Sequence, residues 1–278
     1  MSPMNPGLNP RRQFAEEARA ERPDLALLCL LLAAEADPAL NADGIDAAQI
    51  ELDRLAGLLP YGARSGRAWA SAVAELLGER CGFEGSSTDY QRLQSSLLHE
   101  VLRRRRGLPI LLSVVWIEVA RRAGAPVYGV ALPGHFVVGF GDPAEQVLAD
   151  PFAGGRPMTG QDAQLLVTGT TGAPLEPSML VPARPLEIVL RILNNIRAWA
   201  AARPECTRVA LWAVDLSLLL PSHPARLRYE RAQLLVQSGE FLRGAEEMEE
   251  YAELVEAVEP TAAEMVRGRA RAARALLN

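Results

Sequence analysis

One stretch of the chain, residues 107–152, constrains the fold most strongly, because it has the pattern of a buried helix followed by three short strands. The helix should begin around Gly107 and Pro109, since a first-turn proline gives up an N–H that has no partner within the helix. Gly124 should end it, and Pro126 should prevent its return. Its apolar residues leave almost no polar face, so we expect other elements to surround it: Ile110, Leu111, Val114, Val115, Ile117 and Val119.

The three strands are expected to form antiparallel hairpins. They are predicted at Val127–Leu132, His135–Phe140 and Gln146–Asp150. The letters GDPA place Asp142-Pro143 at the middle of a four-residue turn. A hairpin symmetric about that bond pairs residues whose numbers sum to 285, so His135 should face Asp150. Directly opposed side chains share a face, about 4.5–5.5 Å apart at Cβ, so the sequence predicts an imidazole beside a carboxylate unless a bulge shifts the pairing.

The composition excludes several kinds of chemistry. All 29 basic residues are arginine, which rules out a lysine Schiff base, a P-loop lysine and a kinase-type lysine. The formal net charge of −5 gives no general attraction to nucleic acid or to an anionic membrane. We expect no cofactor and no metal site.

The cysteines and the N-terminal region indicate a cytoplasmic location. Cys29, Cys81 and Cys206 are far apart and odd in number, so they form neither a CxxC pair nor a disulfide framework. The apolar run Leu25–Ala34 is too short to cross a bilayer, so no membrane segment is expected there.

The chain divides into three parts by its pattern. Residues 1–10 are predicted as a disordered tail, residues 11–182 as a domain with a helical N-terminal cover, and residues 183–278 as an all-helical region. Within the domain, residues 153–182 are rich in glycine and proline and are predicted as an irregular connector. Helices of the cover are expected at Asp24–Glu35, Ile45–Leu59, Trp69–Leu77 and Thr88–Arg105. Helices of the last region are expected at Glu187–Ala202, Thr207–Leu220, Pro224–Ser238, Glu240–Glu259 and Thr261–Leu277.

The segment RLRYERAQLLVQSGEFLRGAEEMEEYAEL has the spacing of two closely packed antiparallel helices. The positions that allow this packing are Ala232, Leu235, Gly239, Phe241 and Ala245. The segment resembles a tetratricopeptide repeat, and an ordinary helical hairpin is the alternative.

His135 and Asp150 form the candidate site. An aspartate that holds an imidazole in one tautomer is the supporting half of a nucleophile–His–Asp triad, and the alternative is a structural hydrogen bond. A triad also needs a nucleophile near the N-terminus of a facing helix.

A buried helix followed by G-[IA]-P, H-[FA]-x-V and D-P resembles the transglutaminase-like superfamily. One bacterial branch of this superfamily carries tetratricopeptide-like helices at its C-terminus. Its sequences are similar to three strings of this chain, SLLHEVLRRRRGLPILLS, LPGHFVVGF and ADPFAGG. The resemblance implies an α+β fold with a papain-like core, in which a buried helix lies on a small antiparallel sheet. It also implies a helical N-terminal cover and an all-α repeat region.

The resemblance further implies a cysteine–histidine–aspartate site, and this chain departs from it at one position. The histidine matches His135 and the aspartate matches Asp150. The cysteine would lie fifteen residues before Gly124, where this chain has Pro109. This departure argues against cross-linking and cysteine-protease chemistry.

Two other residues are candidates for a displaced nucleophile. Ser113 lies one helical turn beyond Pro109, although a buried serine bonded to a carbonyl is the simpler interpretation. Cys81 could approach from the preceding loop, or it is a small buried apolar residue.

His99 could join the pair as a third metal ligand, but the spacing matches no known metal site. The run Arg103–Arg106 is expected to complement a helix C-terminus rather than to bind nucleic acid.

Two functions remain open on these residues. The first is a non-catalytic transglutaminase-like protein that binds a protein or peptide partner through its groove and its C-terminal helices. The second is a hydrolase or acyltransferase that uses His135 as the base and Ser113 or Cys81 as the nucleophile. Regulation of gene expression through a partner is a weaker third interpretation.

Overall fold

The structure is a computed structural model that describes residues 9–62 and 64–276. They form two units, one that ends at Ile192 and one that begins at Leu193. Most of the predicted tail lies outside the described residues. Its last two residues are ordered by the first helix, α1 (Pro10–Glu17): Asn9 caps that helix and Pro10 is its first residue.

A five-stranded antiparallel sheet lies in the first unit. Its strands are β1 (Val127–Val130), β2 (Val137–Phe140), β3 (Val147–Asp150), β4 (Arg156–Met158) and β5 (Pro182–Ala183). Their order across the sheet is β4-β3-β2-β1-β5. The sequence predicted only the three central strands. The two edge strands are very short and each contains a proline, so no alternating pattern marks them.

The helix predicted at the start of residues 107–152 is α6 (Pro109–Arg122), and it is buried from its first residue to Ala120. Ser113 Oγ lies 3.3 Å from the carbonyl oxygen of Phe136, just before β2. One turn later, Ile117 packs against Gly129, which pairs with Val138 in the middle of β2. The helix therefore runs in the same direction as β2, and its first turn lies beside the residues that precede that strand.

The register of the β2–β3 hairpin differs from the predicted one. Phe140 pairs with Val147, so paired numbers sum to 287 rather than 285. The loop is longer because Gly141 leaves the hairpin and donates to the carbonyl of Pro126. A tight turn then closes within the loop, where the Glu145 amide donates to the Asp142 carbonyl. The shift moves each partner by two residues, which keeps every side chain on its predicted face.

Helices cover the core on its N-terminal side, as expected. They are α2 (Leu25–Ala36), α3 (Ala42–Ala56), α4 (Gly66–Val73) with a π-helical continuation over Ala74–Arg80, and α5 (Leu98–Arg104). The first of these is apolar on all sides, and Asp24 Oδ1 caps it by accepting from the Leu27 amide at 2.9 Å.

The prediction of one long helix over Thr88–Arg105 was wrong. Two short 3-10 turns, Ser87–Gln91 and Leu93–Ser96, occupy its first half. The cause is Asp89, a buried carboxylate that accepts from the Ser86 amide at 2.9 Å and from Ser95 Oγ at 3.1 Å. Such local side-chain bonds compete with helix formation.

The predicted connector over residues 153–182 is also more regular than expected. Besides β4 and β5, it contains a helix, α7 (Gly160–Thr171), and a 3-10 turn over Pro177–Leu180. A capping box between Thr159 and Asp162 begins the helix. Glycine and threonine give this helix low intrinsic propensity, which hid it in the sequence.

Helices α8 to α12 account for the C-terminal region. Their bounds are Pro185–Ala201, Thr207–Leu219, Arg226–Gln237, Phe241–Val255 and Pro260–Ala275. The all-helical prediction for this region is therefore confirmed. At the α10–α11 contact, Gly244 faces the Ala232 carbonyl so closely that a Cβ would lie 2.8 Å from it.

None of the described helices is both long enough and apolar enough to cross a membrane.

Candidate functional site

The side chains of His135 and Asp150 are in contact. His135 Nε2 lies 3.0 Å from Asp150 Oδ1, and the two side chains are only 12% and 14% exposed. A carboxylate only accepts hydrogen bonds, so Nε2 carries the proton in this contact, and Nδ1 is the nitrogen with the lone pair in the neutral ring. Within residues 9–62 and 64–276, Nδ1 has no hydrogen-bond partner, and it keeps access to solvent.

The ends of two strands position this pair. Asp150 is the last residue of β3, and its Oδ1 also accepts from the Phe152 amide at 2.9 Å. His135 ends a tight turn before β2, where its amide donates to the Leu132 carbonyl at 3.2 Å. Because the histidine lies in the turn and not in the strand, it reaches the carboxylate despite the shifted register.

Two aromatic residues flank the pair. The ring of Phe152 meets the His135 imidazole edge-on, with 6.0 Å between centroids, and Tyr90 meets Phe152 at the same distance. The loop before Tyr90 can approach because Gly85 has no Cβ, which would lie 2.0 Å from the Phe152 ring. Burial, followed by the negative charge of Asp150, raises the pKa of the Tyr90 phenol.

Ser113 does not face the imidazole. Its side chain is fully buried, and its Oγ donates to the Phe136 carbonyl at 3.3 Å. No hydrogen bond joins this hydroxyl to the His135 ring in the described part of the chain. Ser113 is therefore placed like a buried serine whose hydroxyl supplies a hydrogen bond to a backbone carbonyl of the core.

Cys81 ends the π-helical segment after α4 and is partly exposed. Its carbonyl accepts from Arg105 Nη1 at 3.0 Å. Its thiol forms no hydrogen bond with His135 among the described residues. Pro109, the position that the resemblance assigns to a cysteine, is the first residue of α6.

His99 lies apart from the pair. It is in the first turn of α5, and its Nε2 lies 3.3 Å from Asp37 Oδ2. Among residues 9–62 and 64–276, no three histidine, cysteine or acidic side chains are grouped closely enough to hold a metal ion. The structure thus contradicts a three-ligand site on His99, His135 and Asp150.

Each arginine of the run Arg103–Arg106 has a partner within the fold. The first pairs with Glu100 at 2.7 Å, and the second lies 3.5 Å from Asp89. The third bonds the Cys81 carbonyl and lies over the ring of Phe83. The fourth pairs with Glu84 at 2.8 Å. The run therefore ties the loop over residues 81–89 to α5.

Sequence reasoning missed the residues that surround the pair. Tyr90, Phe152 and Gly85 come together through the loop fold, and Arg191 reaches the His135 turn from α8. One signal was present for Phe152, which follows the predicted strand by two residues. Arg191 carried no signal, because an arginine on an amphipathic helix normally faces solvent.

A groove lies on the second unit, with a cavity volume of about 540 Å³. Apolar and charged side chains share its lining, among them Leu218, Arg228, Glu246, Glu250, Tyr251 and Leu254. Arg231 in the groove is neutralised by Asp215 and Glu247. By contrast, Arg228, Glu246 and Glu250 form no ion pair among the described residues.

The fold and the site define a protein with a papain-type α+β unit followed by helical repeats. The chain belongs to the transglutaminase-like superfamily, which its residues 32–194 match. Residues 196–278 match the tetratricopeptide repeat. Both resemblances seen in the sequence are confirmed.

Particular relatives include proteins of two bacteria. A UPF0162 protein of Xylella fastidiosa (strain 9a5c) is 32% identical over 203 residues, which are 71% of this chain and 71% of that protein. A UPF0162 protein of Pseudomonas aeruginosa is 34% identical over 204 residues, which are 71% of this chain and 73% of that protein. F-box only protein 21 of Mus musculus is 30% identical over 104 residues, 34% of this chain and 17% of that protein.

Proposed function

We propose that this chain is a non-catalytic transglutaminase-like protein that binds a protein or peptide, with the helices of its second unit as the main binding surface. The observation that carries the proposal is Pro109 at the start of α6, where the family's nucleophile would stand. Neither candidate replacement supports catalysis, since the Ser113 hydroxyl donates to a carbonyl and, among the described residues, the Cys81 thiol forms no hydrogen bond with the imidazole. The three free, separated cysteines support a cytoplasmic location.

The groove on the second unit supports the binding role. It combines exposed apolar surface with charges that form no ion pair in the part of the chain that the structure describes, which is the composition of a recognition site rather than of a core. Glu246 and Glu250 are four residues apart on α11, so both lie on the same side of that helix.

A peptide display library selected on the full-length chain tests this role. Selected peptides are titrated against the wild-type chain and against the double variant Glu246→Arg/Glu250→Arg. We expect the double variant to weaken binding at least about tenfold, because it reverses the sign of two charges in the groove. Glu253→Arg, an exposed change on the same helix outside the groove, is the matched control. Equal affinity of all three proteins, or no selected peptide, would count against the proposal.

One observation favours the second candidate, a hydrolase or acyltransferase. His135 is held by Asp150 and presents an unpartnered Nδ1, which is the arrangement of a general base. This candidate requires an activated nucleophile at Cys81 or Ser113.

Iodoacetamide labelling separates the two candidates with an internal control. Cys81 and Cys206 are both partly exposed, whereas burial raises the pKa of Cys29 and should leave it unreactive. Under the binding proposal, Cys81 reacts no faster than Cys206, and His135→Gln changes neither rate. Fast labelling of Cys81 that disappears in His135→Gln would establish the catalytic alternative. A fluorophosphonate that labels Ser113 would do the same.

A further inference from the structure

Arg191, in the first half of α8, contacts the turn that carries His135. Its Nη2 donates to the Leu132 carbonyl at 2.6 Å and to the His135 carbonyl at 2.7 Å. These two carbonyls are the first and the last of the four-residue turn. One guanidinium nitrogen therefore holds both ends of the segment that sets the direction of the imidazole.

The contact is shielded and has no competing acid. The guanidinium lies over the ring of Phe136, 5.5 Å from its centroid. Arg191 has no ion pair with any carboxylate in residues 9–62 and 64–276. Burial without an acidic partner lowers its pKa, which shows that the site carries a desolvation cost. A hydrogen bond from a charged donor to a carbonyl is stronger than a neutral one, and shielding strengthens it further.

The carboxylate holds the imidazole from the opposite direction. Asp150 fixes Nε2, while Arg191 fixes the backbone from which the ring projects. Without the arginine, the Leu132–His135 turn would rely on one backbone bond of 3.2 Å. The ring would then be free to leave the carboxylate or to adopt the other tautomer.

We propose that Arg191 is a positioning residue for His135, which keeps the Nε2–H bond to Asp150 and leaves Nδ1 as an outward acceptor. This role concerns the His135–Asp150 pair of the first unit rather than the groove on the second unit, so it does not depend on the proposed function. Through Arg191, helix α8 would therefore have a role beyond packing, because it would determine which imidazole nitrogen faces a ligand.

Nitrogen NMR of the full-length chain, labelled with ¹⁵N in histidine, tests the proposal. The chain has three histidines, and His135→Gln identifies the signals of this ring. In the wild-type protein we expect the single tautomer with the proton on Nε2. In Arg191→Met we expect a mixture of tautomers, and exchange of the His135 amide faster by about tenfold or more, because two charged hydrogen bonds are lost. Arg191→Lys should restore most of the single tautomer, since an ammonium can donate to both carbonyls.

Two controls separate positioning from general destabilisation. Arg184→Met removes an exposed arginine that pairs with Glu187 next to the start of α8, and it should change neither signal. The Gly172 amide, bonded to Thr168 at the end of α7, should exchange at the wild-type rate in every variant. If Arg191→Met does not fold, Arg191→Gln takes its place, because it removes the charge but keeps a donor. A wild-type tautomer and wild-type exchange of the His135 amide in the folded uncharged variant would overturn the proposal.

Discussion

Asp150 shows how much one side chain does in the first unit. Its Oδ1 accepts from His135 Nε2 and from the Phe152 amide, so the same atom orients the imidazole and begins the turn after β3. That turn places the Phe152 ring against the imidazole edge. Removal of the carboxylate would therefore affect the histidine, the turn and the aromatic contact together.

Asp150→Ala should lower the free energy of unfolding by about 2 kcal/mol, because two shielded donors lose their acceptor. Asp150→Asn should cost less, since an amide oxygen can still accept one of the two bonds. Urea denaturation of both variants measures the difference. The matched control is Asp142→Ala, which removes an exposed side-chain bond to the Ala144 amide and should cost less than about 1 kcal/mol. A cost for Asp150→Ala no larger than that of the control would contradict this account.

At this scale, turn arithmetic predicted His135 directly opposite Asp150 in the hairpin. The two side chains are in contact, but His135 reaches the carboxylate from the turn before β2, and the hairpin has a different register. A shift of two residues preserves the face, so the prediction was insensitive to the error that it contained. Tyr90 and Arg191 were beyond prediction because each reaches the pair from a separate segment. Their positions depend on the path of a loop and of α8, and neither path is encoded by local periodicity.

Among the helices, the α10–α11 pair depends on a small residue at its point of closest approach. A Cβ at Gly244 would lie 2.5 Å from Val236 Cγ2 and 2.8 Å from the Ala232 carbonyl oxygen. The carbonyl belongs to the backbone of α10 and cannot rotate away. The sequence indicated close packing through Ala232 and Ala245, and the structure adds Gly244 as the contact residue.

Gly244→Ala should therefore destabilise the second unit by about 1–3 kcal/mol through overpacking, despite the better helix propensity of alanine. Gly268→Ala is the matched control, since Gly268 lies within α12 and a Cβ there would meet only the end of Arg271 at 3.9 Å. The control should stabilise by up to about 1 kcal/mol. Thermal unfolding monitored by circular dichroism measures both changes. Equal effects of the two substitutions would show that the α10–α11 contact can relax.

The sequence predicted best those helices that have a long apolar repeat. Helices α2, α6 and α8 to α12 have long apolar repeats and were found with small boundary errors. The prediction of a long helix over 88–105 failed because Asp89 accepts hydrogen bonds from Ser86 and Ser95, and these bonds stabilise two 3-10 turns in its place. Helix α7 was missed because only Ala163 and Val167 of its residues are buried, too few to produce a periodic signal.

At the scale of the molecule, many charged side chains of the described residues form arginine–carboxylate pairs. Without lysine, every such pair uses a guanidinium, which binds a carboxylate through two parallel N–H groups. Hydrogen bonds from arginine lower the pKa of several glutamates in both units: Glu51, Glu100, Glu187, Glu249, Glu256 and Glu264.

These lowered pKa values predict acid sensitivity. A carboxyl whose pKa is lower in the folded state stabilises the fold above its unfolded pKa, about 4.3 for glutamate. That stabilisation is lost as the pH falls through the lowered folded values. The melting temperature should therefore be constant from pH 7 to about pH 5 and fall at lower pH. Each exposed pair contributes little, so the decline should be gradual. A melting temperature at pH 3 equal to that at pH 6 would contradict the prediction.

The prolines in the two outermost strands have a consequence for how partners can attach. Pro157 in β4 and Pro182 in β5 each lack an N–H, and the strands are only three and two residues long. Neither border of the sheet offers the row of free donors and acceptors that an incoming extended segment needs for β-augmentation. The same feature protects the molecule from edge-to-edge aggregation. We therefore do not expect an extended segment of a partner to attach by backbone pairing at β4 or β5.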